Sequence, residues 1–146
     1  MKTFLCWRLY DIESVQSIIM IGSGAYKTKL EQRGLDLIQD LNNWDEATLA
    51  PYLRVYTRED FQNLWAEHVK FYRKFTTICK ERVNMITCPV LFFVGGKDPL
   101  CPAEHAQFYK ENIRNVKIHI FPDGAHNVHH VYADEFNSIA QKFFLS

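Results

Sequence analysis

No charge of either sign prevails in this sequence: Lys plus Arg number 17 and Asp plus Glu number 17, so the formal net charge is zero. A protein that grips nucleic acid needs a basic surface, so that class has no support here. Cys6, Cys79, Cys88 and Cys101 are scattered without CxxC spacing, which argues against a zinc site or a redox motif. No secretory signal is recognisable, so reduced thiols in an intracellular compartment, cytoplasmic or mitochondrial, are the expectation. The opening MKTFLCWRLYD holds only a short apolar patch, broken by Arg8 and Asp11. That is too short for a signal core or a membrane span, and no membrane partner is expected. Repeats, low-complexity runs and linkers are also lacking. At 146 residues the chain is of one-domain length and long enough to bury a core.

What the chain does hold is a run of strand and helix signals. Val90 to Val94 is apolar at every position and ends in Gly95-Gly96. A short run without polar alternation suits a strand covered on both faces, as in a parallel sheet. Asp98 follows in a turn marked by Pro99 and Pro102, and a helix is expected over 103–112. A second strand is read over 116–121, stopping at Pro122-Asp123-Gly124. His126 comes just after that glycine, and a closing helix is read over 131–144. Earlier, Val15 to Ile21 ends at Gly22-Ser23-Gly24 and has the same form as the Val90 strand. Residues 1–14 show no clear period and stay unplaced.

Between the first two strands, residues 27–86 read as a helical insertion. Asn43 with Glu46 fits a capping box, and Pro51 is expected to break or kink the helix it opens. Thr57 with Asp60 opens the clearest helix. There Phe61, Leu64, Trp65, His68, Tyr72 and Phe75 recur at three- and four-residue spacing. Such a stripe is more often plain core than the face of a substrate lid. Strands alternating with helices indicate an α/β protein with parallel pairing.

Two β-α units in succession each release a polar residue at the carboxyl end of a strand, where open α/β sheets gather ligands and catalytic groups. Asp98 and His126 are therefore candidates for a hydrogen-bonded acid–imidazole pair. The blander readings are a turn-forming aspartate and a loop histidine bonded to backbone. His126, His129 and His130 raise the thought of a metal, but no carboxylate or cysteine is spaced to complete a site, so no cofactor is expected. His119 is read as facing a covering helix, and Cys101 as a turn residue.

The segments PVLFFVGGKDPLCP and FPDGAHNVHHVYADEFNSIAQKF resemble the C-terminal half of an α/β-hydrolase, nearest the valacyclovir hydrolase (biphenyl hydrolase-like) family of serine esterases. The resemblance runs from about residue 15 onward and is most specific over 88–144. It implies about three parallel strands with flanking helices and a helical cap, residues 15–146 forming one partial domain. In that fold the triad runs Ser, then Asp or Glu, then His. The resemblance puts the acid on Asp98 and the base on His126, and it implies a small-molecule ester substrate, with α-amino-acid esters foremost.

One departure matters. No Gly-x-Ser-x-Gly occurs in the 146 residues. By the resemblance, the nucleophile elbow and the oxyanion loop belong before the strand at 15–21. The chain thus reads as a truncated product, either a catalytically inactive fragment or a partner-binding pseudo-hydrolase. Ser23, at a strand end, is weighed as a substitute nucleophile and more readily as pocket lining, together with Trp65. The strand at 15–21 is expected to need a neighbour on each edge. A bare edge invites pairing with another chain, self-association included.

Overall fold

The computed structural model describes residues 14–74 and 79–145. Residues 1–13, Cys6 among them, and Phe75 lie outside that range.

Three parallel strands form the sheet in the order β1 (Ile18–Ile21), β2 (Val90–Gly95), β3 (Val116–Phe121). Ile18 lies opposite Val90, and Phe93 opposite His119. β2 is central and buried at all six positions, as an unbroken apolar run requires. Its alternate side chains feed two cores. Val90, Phe92 and Val94 join Met20, Ala106, Tyr109 and Ile113 on one face. Leu91 and Phe93 join Phe121, Val128, Ala140 and Phe143 on the other. Each fully buried Val, Leu, Ile, Met or Phe among them contributes about 1.5–3 kcal/mol relative to exposure.

Six helices complete the described fold: α1 (Lys29–Gln39), α2 (Glu46–Leu53), α3 (Arg58–Tyr72), α4 (Glu104–Asn112), α5 (Val128–Val131) and α6 (Ala133–Phe144). Short 3₁₀ turns occupy Leu41–Asn43 and Lys80–Met85. α4 lies on the first core and α5 with α6 on the second, the two-sided cover of an α/β protein. α1, α2 and α3 form a cap with its own small core of Leu41, Leu49 and Phe61, packed by Trp44 and Trp65.

Several expectations shift. β1 begins at Ile18 rather than Val15, where the Ile18 N–H meets the Pro89 carbonyl at 3.0 Å. It is only half-buried, and no strand among the described residues pairs with its outer edge. The helix expected from Asn43 is capped by Asp45, whose side chain accepts from the Thr48 N–H at 2.8 Å. That helix runs through Pro51 and stops at Leu53. Pro51 supplies no N–H, so an end soon after it is the expected result. Thr57 caps α3 through the Asp60 N–H, as the pattern indicates. The buried face of α3 is turned from the expected stripe. Phe61 and Val69 are buried, while Leu64 is 53% exposed and His68 is exposed. The face is fixed by α1, which α3 packs against, and not by apolar spacing alone. The closing helix, α6, begins at Ala133, within two residues of its expected start, and a separate short helix, α5, precedes it across Tyr132.

Candidate active site

The site grows from two loops that leave β2 and β3 at the same rim. Backbone bonds stitch them together: Gly96 N–H to Phe121 C=O at 2.8 Å and Lys97 N–H to Gly124 C=O at 2.9 Å. Glycine is required at this seam. A Cβ on Gly95 would run into the Gly124 and Ala125 carbonyls, and one on Gly96 into the Pro122 carbonyl. The close approach brings Asp98, at the end of the first loop, against His126, in the second.

Asp98 Oδ2 and His126 Nδ1 are 2.9 Å apart. The other carboxylate oxygen, Oδ1, accepts from the Leu100 N–H at 2.7 Å and the Cys101 N–H at 3.1 Å. One oxygen is thus anchored on backbone, and that anchor aims its twin at the imidazole. The Asp98 side chain has no exposed surface, whereas 35% of the His126 side chain is exposed. A carboxylate only accepts, so the proton between them belongs to Nδ1. Nε2 is then left with its lone pair, the form of imidazole that can take a proton from a hydroxyl.

A third element closes the site. Gly22, at the end of β1, has φ +48, in the left-handed region open to glycine. A Cβ there would stand 3.0 Å from His126 Cε1 and Nδ1 and 3.3 Å from Asp98 Oδ2. The Gly22 backbone therefore forms a wall against the pair itself. Sequence reasoning marked Gly22 as a turn and missed this role. Its signal was the glycine placed directly at the end of an apolar run.

The remaining candidates are placed as follows. Ser23 follows Gly22, and its hydroxyl donates to the Ile21 carbonyl at 3.0 Å. Trp65 sits in the cap core, with its indole N–H on the Ile38 carbonyl at 2.7 Å and its ring against Trp44. Cys101 is buried and bears one of the N–H groups on Asp98. His119 faces α6, its Nε2 lying 3.1 Å from Glu135 Oε1. His129 and His130 lie on α5 with ring centroids 4.1 Å apart. Burial, then the neighbouring charges of His130 and His126, hold the His129 imidazole below its ordinary range. Among the described residues, no group of three His, Cys, Asp or Glu side chains is placed to hold a metal, and no helix is long and apolar enough to cross a membrane.

A sheet flanked on both faces, with an acid and an imidazole in contact where two neighbouring strands end, is the arrangement of the α/β hydrolases, and the chain belongs to that superfamily. The family described as serine aminopeptidase, S33, matches residues 62–130, a span that includes both Asp98 and His126. Within the superfamily the relationship is to the valacyclovir hydrolase-like serine hydrolases. The chain is 31% identical over 134 residues to serine hydrolase BPHL of Homo sapiens, covering 88% of this chain and 46% of that protein. It is 29% identical over 111 residues to the proline iminopeptidase PfmaB of Pestalotiopsis fici, covering 73% of this chain and 38% of that one. The chain thus spans less than half the length of these curated relatives. Among solved structures, a meta-cleavage product hydrolase from Pseudomonas fluorescens IP01 superposes with a TM-score of 0.69 at 17% identity. That likeness covers 97% of this chain and 60% of the other, and it concerns the fold.

Proposed function

We propose that Asp98 and His126 are the acid and the base of a serine hydrolase acting on carboxylic esters, with small α-amino-acid esters as the favoured substrates. In this reading His126 Nε2 takes the proton of a serine hydroxyl as its oxygen attacks the ester carbonyl carbon. The tetrahedral intermediate collapses, the C–O bond to the alcohol breaks, and His126 returns the proton to the departing oxygen. Water then repeats the sequence on the acyl-serine, releasing the carboxylic acid. Asp98 holds the proton on Nδ1 and stabilises the imidazolium formed in each half. The observation that carries the reading is the 2.9 Å contact between Asp98 Oδ2 and His126 Nδ1, with Oδ1 fixed on two backbone N–H groups. The thiols of Cys79, Cys88 and Cys101, none in a disulfide, support an intracellular setting.

The serine of a Gly-x-Ser-x-Gly elbow is not among the 146 residues, so this chemistry needs a nucleophile from elsewhere. A second reading follows from that and from the outer edge of β1: an inactive chain that pairs through this edge, with a copy of itself or with a polypeptide bearing the serine. Ile18 and Gly22 direct their N–H groups to β2, so Ile19 and Ile21 direct theirs outward.

A fluorophosphonate probe, which modifies activated serines, tests both. The chain by itself is expected to stay unlabelled, and labelling lost on Ser23→Ala would overturn that expectation. Mixed with a polypeptide carrying the elbow, it is expected to support labelling and ester hydrolysis that His126→Ala abolishes. Hydrolysis indifferent to His126→Ala would overturn the first reading. Sedimentation equilibrium reads the second, since a monomer at all concentrations would contradict self-association.

A further inference from the structure

A second carboxylate–imidazole pair lies beneath the cap, and nothing in the chemistry above uses it. Glu31 on α1 and His105 on α4 are each 0% exposed, with His105 Nε2 3.5 Å from Glu31 Oε2. Tyr72 of α3 donates its hydroxyl to Glu31 Oε1 at 3.0 Å. Burial, then the charge of Glu31, push the Tyr72 hydroxyl far above its ordinary range, so it remains a donor. The Lys27 ammonium lies 4.3 Å from the centre of the Tyr72 ring, and the Tyr26 ring meets His105 edge-on at 4.9 Å. Two cap helices and the helix after Asp98 therefore meet on one polar cluster. Ionisable groups are costly to bury, so such a cluster marks a place where position is being fixed.

Two chains of contact lead from His105 to the Asp98–His126 pair. Along the first, the imidazole fills the notch left by Gly24, where a Cβ would come within 2.8 Å of Nε2. Gly24 belongs to the same turn as Gly22, whose backbone walls His126. Along the second, the backbone N–H of His105 donates to the Pro102 carbonyl at 3.0 Å. The residues just before Pro102, Leu100 and Cys101, supply the N–H groups that hold Asp98 Oδ1. α1 also bears directly on this loop, since a Cβ on Gly34 would run into the Pro99 carbonyl.

We propose that Glu31 and His105 are positioning residues that tie the cap to the Asp98 loop and the Gly22 wall, so that the seating of His126 on Asp98 depends on them. The proposal rests on the reading of Asp98 and His126 as an acid–base pair. It is tested on the full chain by proton NMR of the His126 Nδ1–H, with exchange against water as the readout and circular dichroism as the check on folding. Asp98→Asn identifies the resonance by moving it. Glu31→Gln, which removes the charge and keeps the shape, is expected to speed exchange about tenfold, as is His105→Ala. His105→Gln, which refills the Gly24 notch and keeps a donor, is expected to restore the parent rate. Should His105→Ala fail to fold, Glu31→Gln decides in the same two directions. Exchange at the parent rate in Glu31→Gln overturns the proposal, as does faster exchange that merely tracks global unfolding in urea. A parent chain without the resonance, or with one indifferent to Asp98→Asn, overturns the acid–base reading itself and this proposal with it.

Discussion

Asp98–His126 and Glu31–His105 set the same two groups side by side, but only the first two are hydrogen-bonded to each other. In both, the carboxylate side chain is wholly buried. The first pair is close, at 2.9 Å, and its imidazole is one-third exposed. The second stands at 3.5 Å with its imidazole sealed. The difference lies in what surrounds each carboxylate. Asp98 takes two backbone N–H groups from its own turn, a fixed local scaffold that leaves the histidine reachable. Glu31 takes its tyrosine donor from another cap helix and meets its imidazole on α4, outside the cap, so the pair exists only when the cap is docked. The same two groups thus present a reachable imidazole at the strand ends and a sealed one between helices.

The largest effect is expected at the sealed pair. His105→Leu leaves the buried Glu31 with its Tyr72 donor but with an apolar group in place of the imidazole. The expected loss is about 1–3 kcal/mol, the cost of a buried polar group losing a polar neighbour, read by urea denaturation. A loss well below that would mean the sealed pair is a joint in name only. Gly22→Ala attacks the open pair from its wall. The left-handed backbone alone costs about 1–2 kcal/mol with a Cβ present, and the methyl group would press on His126. The expected outcome is modest destabilisation with the His126–Asp98 contact displaced, visible in the His126 ring resonances.

Smaller again is an effect of pH. The folded chain holds the His129 proton more weakly than the unfolded chain does, because of burial and of His130 and His126 nearby. The unfolded state then binds more protons in acid. This contribution is fully present above the unfolded value of about 6.5 and is lost as pH falls through the lowered one. Tm is expected to drop on acidification through this window, and His129→Gln to flatten the drop. Smallest is the third acid–imidazole pair, His119 with Glu135 on the surface. Glu135→Ala should change stability by about 0.5 kcal/mol or less, and a larger effect would mean that solvent exposure does not rank these pairs.

Much of the open pair was legible in the sequence because its determinants are local. An unbroken apolar run marks β2, glycine and proline mark the turns, and each polar residue follows its strand directly. The sealed pair was not legible. His105 and Glu31 sit in helices whose sequences look ordinary, and only the docking of α1 on α4 makes them neighbours. The same reason explains Val69, whose burial in α3 is decided by the helix it meets. It also explains Asp45, one of several capping residues in NNWDEAT that local pattern cannot choose among. The outer edge of β1 is another case: apolar residues announce a strand but not how many neighbours it has.

The proposed chemistry turns on the hydrogen-bonded form of His126. Side-chain nitrogen NMR of the uniformly ¹⁵N-labelled chain, above neutral pH, reads the tautomer directly. The account predicts a proton on Nδ1, coupled to Asp98, and an unprotonated Nε2. A His126 protonated on Nε2 and bare on Nδ1 would contradict it.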